Sequence, residues 1–383
     1  MILTLTANPS LDRTIEVPGP VLRGQVQRAV WAGQQPGGKG VNVSRAVAAA
    51  DRDTLAVLPG DIDDPVLTGL DAIGLAHRSV PTGTPLRSNI TVTEPDGTTT
   101  KINEPGSPLS PQAQDELLDL VAEQAVGASW VVLAGSLPPG VDDDFYARAI
   151  KRIRQLVRPP LVAVDTSGAP LAAALMASPD LIKPNAEELA ELLNAAGLLH
   201  ASGLRNDPRA HSGRGSVESL GTAELHTIAD RLESSPQLTA RATSTLLNAR
   251  GPRPRSILAT LGAGGAVLAQ PDAAWHAQHP PTDVVSTVGA GDSTLAGYLL
   301  GLTDGREPDA ALARAVAYGA AAARLRGTGV PSPADARTDV VTVTSLETSA
   351  APLTGSPTAH TDTHADDTSH RHEGTAPEAE EAR

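Results

Sequence analysis

Four short stretches of the chain combine residue types that chemistry can use. The sharpest is Ser286-Thr287-Val288-Gly289-Ala290-Gly291-Asp292-Ser293, followed by the helix-like run Thr294 to Leu302. Small residues let backbone N–H groups converge at a helix start, where the dipole favours an anion. An aspartate placed there can take a proton from a hydroxyl while those N–H groups stabilise a migrating phosphoryl group. Phosphoryl transfer asks for little beyond positioning and charge compensation. A glycine-rich turn with Asp292 as the helix cap accounts for the same residues.

The second stretch is Gly37-Gly38-Lys39-Gly40-Val41-Asn42, also at an expected helix start. Its glycines admit a ligand close to the backbone, and Lys39 and Asn42 can hold phosphate or hydroxyls. It is not a Walker A loop, which has four residues between its glycines before Gly-Lys-Ser/Thr, and a structural turn explains it too. In the third, Lys183-Pro184-Asn185-Ala186-Glu187-Glu188, Asn185 and Glu188 share one helical turn. A capping box explains that spacing completely; a water-mediated Mg²⁺ site is the rival reading. The fourth, Thr260-Leu261-Gly262-Ala263-Gly264-Gly265, reads as strand, glycine turn, strand. A dinucleotide fingerprint would open a helix, so a dehydrogenase is excluded.

The elements that must position these groups alternate. Strands are predicted at Ile2 to Thr6, Thr54 to Leu58, Trp130 to Ala134, Leu161 to Val164 and Asp180 to Ile182. Helices are predicted at Gly40 to Ala50, Pro111 to Ala125, Asp142 to Leu156 and Asn185 to Leu193. Short apolar strands between helices predict a mainly parallel sheet covered on both faces. Ser88 to Thr93 and Thr98 to Ile102 break that rhythm: they flank the turn Glu94-Pro95-Asp96-Gly97 and predict a hairpin in a small β-rich lid. The lid is expected from segments within 10–35 and 86–104, and one kinase-type domain over 1–340. Residues 197–221 are polar and read as a surface insertion. Residues 349–383 lack an apolar period and read as a disordered tail. Its four histidines (His360, His364, His370, His372) are read as solvated rather than metal-binding.

The chain has 383 residues and a formal net charge of −14, about a third of it from the tail, which holds seven Asp/Glu against two Arg. No basic block points to nucleic acid, so a phosphorylated ligand must be held by a few local cations and N–H groups. There is no cysteine, which excludes disulfides, thiolate catalysis and Cys-ligated metals. No apolar run reaches the roughly 18 residues that span a bilayer. The expected setting is the cytoplasm.

Taken together and in order, Gly37 to Asn42, Lys183-Pro184-Asn185 with Glu188, the Thr260-Leu261-Gly262 turn and Gly289-Ala290-Gly291-Asp292 resemble the ribokinase-like (PfkB) carbohydrate kinase family over roughly residues 1–335. Asn8-Pro9-Ser10-Leu11-Asp12, Arg87-Ser88-Asn89, Glu104-Pro105-Gly106 and Gly135 to Gly140 resemble its branch acting on sugar phosphates. The resemblance implies a three-layer α/β/α core with a mainly parallel sheet and a small β-rich lid. It implies ATP and Mg²⁺, and a sugar phosphate as acceptor, first of all fructose 1-phosphate. Fructose 6-phosphate and tagatose 6-phosphate are the alternatives.

By the same resemblance Asp292 is the general base, and the N–H groups of Gly289, Ala290 and Gly291 are the anion hole. Asp12, Gly38, Lys39 and Asn42 hold the sugar, and Arg87 pairs with its phosphate. Lys183, Asn185 and Glu188 serve ATP and Mg²⁺, while Thr260, Gly262 and Gly265 line the nucleotide phosphates and ribose. A homodimer through the lid is expected. Arg326 departs from the family pattern and puts a charge at the expected nucleotide edge. A non-catalytic sugar-phosphate sensor is the rival of another class; it predicts loss of the base or of the Asn185–Glu188 helix, and both are present.

Overall fold

The computed structural model describes residues 1–204 and 220–347. The tail expected over 349–383 and most of the insertion expected over 197–221 lie outside the described residues. At the described margins of that insertion, Leu199 and Leu204 are buried and Gly221 precedes a helix.

Among the described residues fourteen strands, numbered along the chain, form two sheets. The large sheet holds β1 (Ile2–Thr6), β4 (Thr54–Pro59), β5 (His77–Val80), β8 (Trp130–Ala134), β9 (Leu161–Asp165), β10 (Leu181–Ile182), β11 (Ser256–Thr260), β12 (Ala266–Gln270), β13 (Ala273–Gln278) and β14 (Thr342–Leu346). Their order is β14-β13-β12-β11-β10-β9-β8-β1-β4-β5. Every pair from β11 to β5 is parallel, and the last three strands add an antiparallel edge. The small sheet holds β2 (Ser10–Glu16), β3 (Trp31–Gly37), β6 (Arg87–Thr93) and β7 (Thr99–Asn103), in the order β3-β2-β6-β7. The predicted hairpin is present: Glu94 N donates to Thr98 O and Gly97 N to Glu94 O across the turn between β6 and β7.

Among the described residues ten α-helices accompany the sheets: α1 (Lys39–Ala48), α2 (Pro65–Ala72), α3 (Pro111–Gln124), α4 (Phe145–Arg154), α5 (Gly168–Leu175), α6 (Ala186–Ala195), α7 (Thr222–Ser234), α8 (Pro236–Leu247), α9 (Ala290–Thr303) and α10 (Pro308–Ala323). The period-two alternation of the strands decides the layers. Leu3, Leu5, Val131, Leu133, Val162 and Val164 face α3 to α8. Ile2, Trp130, Val132, Ala163, Leu181 and Leu258 face α1, α9 and α10. Both faces are therefore apolar, which is why the strands read as continuous apolar runs instead of alternating ones. The expected three-layer core with its β-rich lid is what the chain adopts.

α4 starts three residues later than predicted. Asp142 to Asp144 form its lead-in turn, and Phe145 and Tyr146 are the first residues to reach the core. The Tyr146 hydroxyl donates to Gly135 O at 2.9 Å, tying that helix to the loop after β8.

Candidate active site

Parallel strands send their loops out at the carboxyl ends, and a crevice there is where α/β sheets bind ligands. β9 ends in Asp165, Lys183 and Asn185 directly follow β10, and β11 ends in Thr260, so three adjacent strands deliver polar groups to one rim. Asn185 and Thr260 form a parallel bridge beyond the regular pairing. Across the same rim stand the first turns of α1 and α9, one carrying Lys39 and Asn42, the other Asp292.

The turn before α9 depends on Gly289, which takes φ 79° and ψ −3° as the helix N-cap. That left-handed conformation suits glycine and strains other residues. Asp292 therefore lies inside the first turn and is not the cap. Its carboxylate accepts a 2.9 Å hydrogen bond from Asn42 Nδ2 on α1. The N–H groups of a first helical turn lack intrahelical partners; that of Ala290 reaches Thr287 O at 3.4 Å.

Charges converge on the same point. Lys39 Nζ lies 2.7 Å from Asp165 Oδ1 and 3.6 Å from Glu188 Oε1. Lys183 Nζ lies 3.1 Å from Asp165 Oδ2, and 3.4 Å from where a side chain at Gly291 would begin. A larger residue at 291 would crowd the ammonium against the helix start. Burial pushes the Asp292 carboxyl up to about 6; Asp165 adds to the rise, and Lys39, the Asn42 hydrogen bond and Lys183 oppose it. Burial also raises Asp165, but Lys183 and Lys39 outweigh it and hold that carboxyl below the ordinary aspartate range. Burial works against the Lys39 ammonium, yet Asp165, Glu188 and Asp292 together hold its pKa above the ordinary lysine value. The rim thus holds the Lys39 ammonium charged beside an aspartate able to accept a proton near neutrality.

Asn185 and Glu188 form a reciprocal capping box. Glu188 N donates to Asn185 Oδ1 at 2.8 Å and Asn185 N to Glu188 Oε2 at 2.9 Å. The capping reading of this pair is therefore correct for the protein alone. It leaves Glu188 Oε1 directed toward Lys39 and the rim. Among the described residues no three His, Asp or Glu side chains gather as a metal cage. A Mg²⁺ ion keeps several waters and takes one or two carboxylates plus substrate phosphates, so Glu188 suits an ion that arrives with a nucleotide.

The Thr260 to Gly265 turn has the predicted strand–turn–strand form, closed by Leu261 N to Gly265 O at 2.8 Å. Gly265 sits at φ 86° and ψ −128°, and a Cβ there would lie 2.0 Å from Ala277 O. Gly265→Ala is expected to cost about 3 kcal/mol or more, read as a lower denaturant midpoint.

The lid supplies a second group. Asp12 on β2 accepts from Ser10 Oγ at 2.7 Å and from Asn89 Nδ2 on β6 at 3.1 Å. Burial raises its pKa against those bonds and against Arg87 and Arg45. Arg87, at the head of β6, donates to Asn8 O at 3.2 Å and Glu104 O at 3.0 Å. Arg87 interacts electrostatically with Asp12 and lines a small cleft together with Asn8, Pro9 and Ser107.

Asp165, Arg45 and Gln35 escaped the sequence reading. Asp165 was legible as a carboxylate closing an apolar strand; β9 runs one residue further than predicted and includes it. Arg45 and Gln35 had no such signal, since Arg45 joins α1 to β3 and to Thr328, and Gln35 bonds Arg45 and Thr328. Arg326 pairs with Glu16 on β2 at 3.1 Å, its guanidinium 6.0 Å from the Trp31 ring centre on β3. Its charge is thus directed to the lid.

The comparisons fit this architecture. The family model of pfkB family carbohydrate kinases matches residues 5–212 and 220–335. The chain is 33% identical over 355 residues to a 1-phosphofructokinase of Haloferax volcanii, covering 91% of this chain and all of that one. Phosphofructokinase-2 from Escherichia coli, solved in complex with substrates and products, superposes with a TM-score of 0.69 at 26% identity, over 88% of this chain and 97% of that one. Ribokinase from Thermotoga maritima shares the fold, with a TM-score of 0.60 at 17% identity over 88% and 98% of the two chains. The chain belongs to the pfkB family of carbohydrate kinases.

Proposed function

We propose that this carbohydrate kinase transfers the terminal phosphoryl group of ATP to the 6-hydroxyl of fructose 1-phosphate, giving fructose 1,6-bisphosphate and ADP. The observation that carries the reading is the Asp292 carboxylate at the start of α9, facing Asn42 and flanked by the Lys39–Asp165–Lys183 cluster. Asp292 takes the proton as the sugar oxygen bonds to the γ-phosphorus and the bond from phosphorus to the bridging oxygen of ADP breaks. The N–H groups of Gly289, Ala290 and Gly291 receive the equatorial phosphoryl oxygens, with charge supplied by Lys39 and Lys183. Thr260, Gly262 and Gly265 line the path of the nucleotide. Glu188, with Asn185, would hold Mg²⁺ through water, and when bound that ion neutralises phosphate charge. Asp12, Gly38 and Asn42 bind sugar hydroxyls and Arg87 pairs with the 1-phosphate. The lid excludes water so that ATP is not hydrolysed.

The 1-phosphate acceptor is favoured by the name and full-length match of the Haloferax relative. Fructose 6-phosphate is the second reading, favoured by the similarity to phosphofructokinase-2. ADP release with fructose 1-phosphate, fructose 6-phosphate, tagatose 6-phosphate and fructose in parallel tests it. The expected result is a kcat/KM at least about tenfold higher for fructose 1-phosphate, about 1.4 kcal/mol of discrimination. A preference for another sugar phosphate keeps the mechanism and changes the acceptor; no turnover on any of them rejects the kinase reading.

A further inference from the structure

Arg45 lies in the last turn of α1 and touches four acceptors on three parts of the chain. Its Nη1 donates to Asn42 Oδ1 at 3.2 Å, to Pro36 O at 3.3 Å and to Thr328 O at 3.0 Å. Its Nη2 donates to Gln35 Oε1 on the lid strand β3 at 3.1 Å. Gln35 Oε1 also accepts from Thr328 Oγ1 at 3.0 Å. Thr328 follows Gly327, whose carbonyl accepts from Ser286 Oγ in the loop that leads into α9. One guanidinium therefore joins the lid, α1 and the loops around the start of α9.

The consequence lies in Asn42. A carboxamide has a donor end and an acceptor end, and a guanidinium can only donate. Arg45 consequently claims Asn42 Oδ1, which leaves Nδ2 facing Asp292 Oδ2 at 2.9 Å. If the amide turned over, its oxygen would meet the carboxylate, disfavouring the ionised form that accepts a proton. We propose that Arg45 is a positioning residue for the base: it fixes the Asn42 amide so that Asp292 is held ionised and oriented, and through Gln35 it makes that orientation depend on the lid. The inference rests on Asp292 acting as the base of the kinase reaction. The other charges acting on Asp292 are Asp165 from β9, Lys39 from α1 and Lys183 after β10. α10, packed along the same helix, directs Arg314 to Asp304 beyond its far end.

The test measures pH profiles of kcat/KM for wild type, Arg45→Ala, Arg45→Lys, Gln35→Ala and Asp292→Asn with the preferred sugar phosphate, thermal melts serving as the folding check. Arg45→Ala is expected to lower kcat roughly 10- to 100-fold, with KM for ATP within about threefold and KM for the sugar, which Asn42 also holds, changing less than kcat. Its acid limb is expected to move up by about half a pH unit or more. Arg45→Lys, which can still donate to Asn42, should recover part of both effects, and Gln35→Ala should move both weakly in the same direction. Should Arg45→Ala fail to fold, the lysine and Gln35 variants carry the test by the same displaced limb. An inactive Asp292→Asn beside Arg45 and Gln35 variants with an unmoved acid limb overturns the role of Arg45 and keeps the base. An Asp292→Asn variant that turns over normally overturns both.

Discussion

Replacing Asp292 by asparagine is expected to lower kcat roughly 10²- to 10⁴-fold while making the folded protein more stable. The two effects share one cause. The carboxyl is buried at the start of α9, and burial with Asp165 lifts its pKa to about 6, from an ordinary value of 3.8. The native state then binds this proton more tightly than the unfolded chain does. That contribution to stability is complete below pH 3.8 and is lost as pH rises through about 6. At pH 7 to 8 the ionised carboxylate therefore burdens the fold by up to about 3 kcal/mol, which asparagine relieves. Asparagine keeps an oxygen for Asn42 Nδ2 but cannot take a proton. Wild-type kcat/KM is expected to fall about tenfold per pH unit below an apparent pKa near 6. Steady-state kinetics, a pH profile and a denaturation curve on the two proteins check all three. A variant that keeps its activity, or a wild-type profile flat down to pH 5, removes Asp292 from the role of base.

Asp165→Asn is expected to have the largest cost in stability of any single change at the rim, about 3–5 kcal/mol at neutral pH. Asp165 is fully buried, and its two oxygens face Lys39 at 2.7 Å and Lys183 at 3.1 Å. Lys183 is itself almost fully buried, so an asparagine removes its directly paired carboxylate and leaves its ammonium in the interior with only Asp292 to offset it. The carboxyl is held below the ordinary aspartate value of 3.8, because the two lysines outweigh burial. Its stabilisation is therefore present above pH 3.8 and is lost as pH falls through its lowered folded value. The gap between wild type and variant, read from guanidinium midpoints, should be full at pH 7 and close only in strong acid. The double variant Lys183→Met with Asp165→Asn is expected to recover part of the loss, which a double-mutant cycle measures. Equal midpoints for wild type and Asp165→Asn would mean that water, not the carboxylate, compensates these lysines.

Hydrogen bonds of Arg45 run from α1, which carries Lys39 and Asn42, to the lid. Lys39 and Asn42 lie on the first turn of α1, and Arg45 follows one turn later. The same helix thus reaches the Asp165–Asp292 rim at one end and, through Gln35, the lid strand. Arg326 reaches the lid independently at Glu16. On the proposed reading, closing the lid over a sugar and orienting the base would be linked through these contacts.

Much of this protein was determined by its sequence locally. Strand and helix identity follows from apolar periodicity and turn chemistry, which act over a few residues, so β1, β8, α3 and the β6–β7 hairpin lie where the pattern puts them. The sharp turns at Gly289 and Gly265 are likewise encoded by residues tolerating positive φ. The tertiary structure alone decided what those elements do to one another. Asn42 and Asp292 are separated by 250 residues and meet at 2.9 Å. Arg45 and Thr328 are separated by 283 and meet at 3.0 Å. Asp165, one residue past the predicted strand, becomes the shared counter-charge of two lysines, because parallel pairing brings the ends of β9 and β10 side by side. Electrostatic strength follows spatial distance and burial, neither of which is carried by any short window of residues.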